Sequence, residues 1–263
     1  MALEKTILSA DPRQMDAAMR THLADISMAC QVLLRRIEDE KDVAYLAAIQ
    51  RAVTRAVHLQ EQMELGRRLE DEDERRVVPA TMDLVAWGRE AAESAEELLK
   101  SIGIDLVFST ELPALVTLAD EDLLEHMLLE LISNAAKAMP EGGALRITLQ
   151  STGKAAVLSV GDEGDGLSDG ALERLFGGNR EPDLSPAAGA GLGLRLARAV
   201  AEAHGGLMML DTAPGRGVRV AVSLPLREGR RERLRSPRVT TDARERALVA
   251  LADVLPAKLY KDR

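Results

Sequence analysis

Apolar side chains recur at helical intervals along residues 12–66. Met15, Met19, Leu23, Ile26, Cys30, Leu33 and Ile37 follow one another in steps of four and three, a heptad-like seam on one helical face. The charged stretch Glu38-Asp-Glu-Lys-Asp42 interrupts it, and a second stripe follows at Val43, Leu46, Ile49, Val53 and Val57. The spacing predicts two helices, each apolar on one face only. Such a hairpin cannot bury its apolar side alone. It either packs on the rest of its own chain or pairs with a second copy as a four-helix bundle.

From about Val77 to Leu226 the pattern changes to mixed helix and strand. Helices are predicted over residues 83–101, 120–139 and 195–204, the last stopped by Gly205-Gly206. Strands are predicted at Ile104–Ser109, Ala144–Gln150, Ala155–Val160, Leu207–Asp211 and Val218–Pro225, with turns at Ser151–Lys154 and Pro214–Gly217. This order predicts an α+β sandwich, one mixed sheet with helices on one face. Three segments result: a helical hairpin (1–70), a mixed domain (77–226), and a tail (227–263) made of an Arg-rich linker and a short helix around Arg244–Leu255. The charged run Leu69–Arg76 reads as a solvated helix end or linker.

Composition narrows the function classes. With 2 Phe, 2 Tyr and 1 Trp, the core must be built from aliphatic side chains, and base-stacking platforms are not available. A net charge of −9 argues against a general phosphate-backbone binder, so no nucleic acid is expected as a partner. The single Cys30 excludes a disulfide scaffold and a Cys-based zinc site. No apolar run is long enough for a membrane span and the N-terminus lacks a signal-peptide core, so the expected location is cytoplasmic.

Three polar segments carry the chemistry. Glu130-Leu-Ile-Ser-Asn134-Ala-Ala-Lys137 places a carboxylate, an amide and an ammonium on one helical face. Hard oxygen ligands suit Mg²⁺, and the lysine suits a phosphate. Gly161-Asp162-Glu-Gly164-Asp-Gly166 follows a predicted strand. Its glycines let backbone approach a planar ligand, and Asp162 can accept from an exocyclic amine. Gly189-Ala-Gly191-Leu192-Gly193-Leu194 runs into a predicted helix, so its backbone N–H groups can face phosphate. It comes late in the domain, after an antiparallel hairpin, which is the wrong context for a dinucleotide-binding βαβ unit.

The order and spacing of these three segments resemble the nucleotide-binding domain of the histidine-kinase and gyrase-like ATPase superfamily, the GHKL or Bergerat fold. Glu130, Asn134 and Lys137 match its N box. Asp162, Gly164 and Gly166 match its DxGxG box, and Gly189, Gly191, Leu192 and Gly193 its GxGLGL box. Leu175-Phe176 falls where histidine kinases carry an F box, and residues about 177–190 would be a mobile lid. The resemblance implies ATP as the ligand, Mg²⁺ held by Glu130 and Asn134, phosphate contact by Lys137 and an adenine contact by Asp162. It implies a dimeric four-helix bundle through residues 12–66 and a response regulator as partner.

The phosphoacceptor motif departs from the family pattern. Aligned through Met19-Arg20-Thr21-x-Leu23, Ala17 takes the acceptor position, Ala18 the acidic one, and His22 stands where the family has proline. Five helical residues separate Ala17 from His22, about 140° around the axis. His22 is retained as the candidate acceptor; His58, His126 and His204 read as structural. Glu130 replaces an Asn found in many histidine kinases, and in related ATPases and serine kinases such a Glu is the general base. The expected function is that of a histidine kinase of two-component signalling. The alternatives are a serine protein kinase or ATPase of the anti-sigma type, and an ATP-binding pseudokinase scaffold that docks response regulators.

Overall fold

The computed structural model describes residues 12–70, 77–167, 192–213, 215–227 and 240–260. These divide between two compact units, one bounded by Met1–Glu64 with Pro256–Arg263, the other by Leu65–Leu255. The linker run 71–76, the F-box and lid residues, Gly189, Gly191 and the Arg-rich stretch 228–239 lie outside the described residues.

The first unit is the predicted hairpin. Helix α1 (Pro12–Leu34) turns into α2 (Glu40–Glu70), which begins in this unit. Asp39 caps α2, its Oδ1 accepting from the N–H groups of Lys41 (2.9 Å) and Asp42 (3.1 Å). Next to the turn, Cys30, Leu34 and Leu46 close on one another, flanked by Ile37 and Val43. Farther along, Gln50 Nε2 donates to Ser27 Oγ (2.6 Å), Gln60 Nε2 to the Asp16 carbonyl (2.6 Å), and Arg20 pairs with Glu64. The hairpin is therefore zipped partly by polar contacts. Its heptad positions Met15, Met19, Ile26 and Leu33 remain 43–48% exposed. Tyr260, on a short 3-10 turn at Ala257–Tyr260, is fully buried.

The second unit holds β1 (Ala80–Asp83), α3 (Leu84–Lys100), β2 (Ile104–Ser109), β3 (Val116–Ala119), α4 (Glu121–Lys137), β4 (Gly143–Ser151) and β5 (Ala155–Gly161). After the glycine loop come α5 (Leu192–Ala203), β6 (Leu207–Thr212), β7 (Val218–Pro225) and α6 (Thr240–Ala250). The main sheet runs β2-β4-β5-β7-β6; β2 and β4 are parallel, all other neighbours antiparallel. Register aligns Ile147, Val160 and Val220 in one row and Leu149, Leu158 and Val222 in the next. These alternate residues are buried and face α3, α4 and α5, while Arg146, Gln150 and Arg219 on the opposite face are exposed. The sandwich with helices on one side of a mixed sheet is the architecture expected from the pattern. What the pattern did not announce is the small β1–β3 ribbon, Ala80 opposite Ala119 and Asp83 opposite Val116.

Two aspartates hold this frame. Asp83 caps α3 by accepting from Val85 N–H (3.0 Å) and also accepts from Leu115 N–H (2.8 Å). Asp120 caps α4 through Leu123 N–H (3.2 Å), and its other oxygen accepts from Val78 N–H (2.8 Å). The Asp120 amide in turn donates to His204 Nε2 (3.1 Å), while His204 Nδ1 donates to the Val200 carbonyl (2.8 Å). Both ring nitrogens of His204 are thus used in tying the end of α5 to the start of α4. Among the described residues no helix is long and apolar enough to cross a membrane. Asp120→Ala removes the cap of the central helix and strands the Val78 amide, so it should cost about 1–3 kcal/mol, read as a lower denaturation midpoint at unchanged slope. Unchanged stability would overturn that role.

Candidate functional site

Helix α4 is apolar on nearly every face. Leu124, Leu128 and Ile132 are wholly buried, and so is Ser133. A helix of this kind must be covered on all sides. Glu130, Asn134 and Lys137 form the polar stripe that the sequence placed on one face, yet Glu130 is only 5% exposed. The structure therefore places this stripe under other elements, at depth, where charge interactions are stronger than at the surface.

The element over it is the first turn of α5. A Cβ on Gly193 would stand 2.9 Å from Asn134 Nδ2 and would also overlap the Glu130 carboxylate. Only glycine lets the helix N-terminus approach this closely. Leu192 is the first helical residue beside it and is half-buried. The unpaired amides at the start of α5, with the positive end of its dipole, thus come down beside Glu130 and Asn134. Asn134 Nδ2 is itself buried and has no hydrogen-bond partner among the described residues. A buried amide without a partner is costly unless a ligand completes it.

The second wall is the loop after β5. Asp162 Oδ1 accepts from Gly164 N–H (2.9 Å) and Val218 N–H (3.1 Å). Burial raises the pKa of Asp162, against the pull of those two amides. Its neighbour Glu163 pairs with Arg146 (2.7 Å), both side chains exposed. A Cβ on Gly164 would collide with the backbone of Ala138, the residue that caps the end of α4. Gly166 has φ +77° and lies against Ala213. The loop is pinned there by Leu167 N–H to Thr212 Oγ1 (3.0 Å) and Gly215 N–H to the Asp165 carbonyl (2.8 Å). The glycines thus let this loop cross the end of the helix that carries Asn134 and Lys137.

Lys137 is already engaged. Its ammonium pairs with Asp253 at 2.7 Å, both side chains about one-quarter exposed. Asp253 belongs to the turn after α6, a segment in which the sequence showed a short helix but no chemistry. The donor set otherwise fits a magnesium–phosphate group. A carboxylate and an amide oxygen suit Mg²⁺, which takes few protein ligands and leaves the rest to phosphate and water. The amide of Asn134 can present either its oxygen or its nitrogen to the site.

His22 lies on α1 in the other unit and is exposed, as is Ala17, whose carbonyl accepts from Thr21 Oγ1 (3.0 Å). His126 on α4 has its pKa lowered, chiefly by burial. His58 is buried beside Gln62, with 3.0 Å between its Nε2 and the amide nitrogen.

Comparison with known proteins agrees with this geometry. Residues 119–228 match the family model described as histidine kinase-, DNA gyrase B- and HSP90-like ATPase. The chain is 28% identical over 210 residues to sporulation kinase D of Bacillus subtilis, covering 79% of this chain and 40% of that protein. It is 30% identical over 227 residues to the sensor protein kinase PmrB of Pseudomonas aeruginosa, covering 84% and 47%. The crystal structure of full-length ShkA in complex with AMPPNP superimposes with a TM-score of 0.68 at 24% identity, over 84% of this chain and 47% of that one. The chain spans about half the length, or less, of the relatives it matches. With an N-box helix, a glycine-spaced helix N-terminus over it and a half-buried aspartate opposite, residues 119–228 form a domain of the histidine kinase-, DNA gyrase B- and HSP90-like ATPase type, and the chain as a whole is similar to histidine kinases.

Proposed function

We propose that this chain binds Mg·ATP between α4, the Asp162 loop and the start of α5, and acts as a histidine kinase of two-component signalling. The observation that carries this is Gly193 seated on Glu130 and the buried Asn134 Nδ2, which has no hydrogen-bond partner among the described residues. Asn134 and Glu130 would hold Mg²⁺, whose positive charge would offset that of the phosphates. The amides at the start of α5, with Gly189 and Gly191 before it, would receive the phosphate oxygens. Asp162 Oδ2 would accept from the adenine amine, and Lys137 would contact phosphate. A ring nitrogen of the acceptor histidine would attack the γ-phosphorus as the bond to ADP breaks, and Glu130 would remove the ring proton. His22 is the acceptor favoured within this chain, and the phosphoryl group would pass from it to an aspartate on a response regulator.

The exposed Met15, Met19, Ile26 and Leu33 support a homodimer through residues 12–66, because a second hairpin would cover the same face on both copies. A cytoplasmic location follows from the substrate and from the free Cys30. One observation favours a second reading, a scaffold that binds ATP and docks regulators without phosphorylating itself: an exposed Ala17 at the position the family reserves for its acceptor.

Three measurements test these assignments. Incubation with γ-labelled Mg·ATP should give acid-labile, base-stable label that His22→Ala removes. Bound nucleotide without label would instead support the scaffold, and acid-stable label would support a hydroxyl substrate. The Asp162 carboxyl, followed by carbon NMR in the nucleotide-free chain, should titrate above 3.8, because burial favours its protonated form; saturating ADP should lower that midpoint, since an amine donor favours the carboxylate. A midpoint that ADP leaves in place would remove Asp162 from the adenine site. The full chain should sediment as a dimer and Met19→Asp with Ile26→Asp as a monomer; a monomeric wild type would end the bundle assignment.

A further inference from the structure

The segment after β7 is not an appendage to the nucleotide domain. Helix α6 lies beyond the residues that match the family model, yet it packs on α3 and α4 and covers part of the largely apolar α4. Leu248, Leu251, Ala252 and Leu255 are at most 3% exposed. Ser133, wholly buried one residue before Asn134, donates its hydroxyl to the Ala250 carbonyl at 2.9 Å. Arg246 reaches the buried Glu125 carboxylate at 2.7 Å. The turn that follows is closed by Leu251 N–H to the Ala247 carbonyl (2.9 Å) and Leu255 N–H to the Leu251 carbonyl (3.0 Å). Asp253 is therefore presented from a fixed backbone, and its Oδ2 sits 2.7 Å from Lys137 Nζ.

We propose that Asp253 is a built-in competitor for the phosphate lysine, so that the C-terminal segment sets the affinity of the site for nucleoside triphosphate. This rests on the nucleotide-binding reading given above. A triphosphate carries several negative charges and must draw the Lys137 ammonium toward itself. In this arrangement that ammonium is already neutralised by a carboxylate held in place by buried packing. Binding then has two costs that a free lysine would not impose: the pair is broken or shared, and a second carboxylate faces the incoming phosphates. The site is thereby weakened without any change in the residues that touch adenine.

The test is calorimetric titration of the full chain with Mg·AMPPNP, comparing wild type with Asp253→Asn, Lys137→Met and the double variant. Asparagine keeps the size of the side chain and removes only the charge. Asp253→Asn should bind about threefold to tenfold more tightly, as expected for loss of a partly screened competing charge. Lys137→Met should bind more weakly, and adding Asp253→Asn to it should restore little or nothing. Equal or weaker binding by Asp253→Asn would overturn the proposal and make Asp253 a residue that orients the lysine. A gain that persists in the Lys137→Met background would overturn it too, since the effect would then be general charge repulsion. Asn134→Ala separates the two levels: if it binds as the wild type does, the nucleotide site itself is misassigned and the competitor falls with it. If Asn134→Ala abolishes binding while Asp253→Asn changes nothing, the site stands and only the competitor fails.

Discussion

Everything in the ATPase-type domain depends on the burial of most of α4. Its Leu124, Leu128 and Ile132 form the centre of the core, and its polar stripe forms the floor of the site. A helix in both roles cannot shift to suit a ligand without disturbing the packing of the domain, because close-packed interiors deform little. The site is therefore rigid from below. Asp120 and His204 carry the same logic to the helix end, where one buried hydrogen-bond chain fixes α4 relative to α5.

Glycine works here as a spacing device rather than a source of flexibility. Gly193 and Gly164 each stand where a single Cβ would collide with α4 or its cap. Removing that one carbon brings a helix N-terminus and a strand-end loop within reach of the same polar stripe. Acidic and amide groups then face the positive end of a helix at depth, which is the electrostatic arrangement an anion with a bound cation requires. Lys137, at the end of that stripe, is paired with Asp253.

The hairpin unit follows a different physical rule. Its turn end is closed by Cys30, Leu34 and Leu46, and its far end by hydrogen bonds and an ion pair. The heptad positions Met15, Met19, Ile26 and Leu33 meanwhile face outward. A periodic apolar stripe tells which residues share a face; it does not tell whether the same chain or a second one covers that face.

Much of the fold was written in local pattern. Alternating strands and amphipathic helices from 83 to 225 were legible because each follows from its own periodicity, and the three motifs were legible because their residue types and order are specific. The β1–β3 ribbon was not, since its strands have four residues each, too few for a period of two to stand out. Nor was the parallel pairing of β2 with β4, which is set by the crossover through β3 and α4 rather than by either strand. The amino-acid sequence by itself singled out Glu130, Asn134, Lys137 and Asp162 as candidates, by type and spacing. Only the tertiary structure decided their surroundings: that Gly193 sits on Glu130 and Asn134, that Asp162 is half-buried, and that a carboxylate 116 residues downstream of Lys137, Asp253, occupies it. Proximity between residues so far apart in the chain comes from packing α6 against an apolar helix, and no local signal in either segment encodes it.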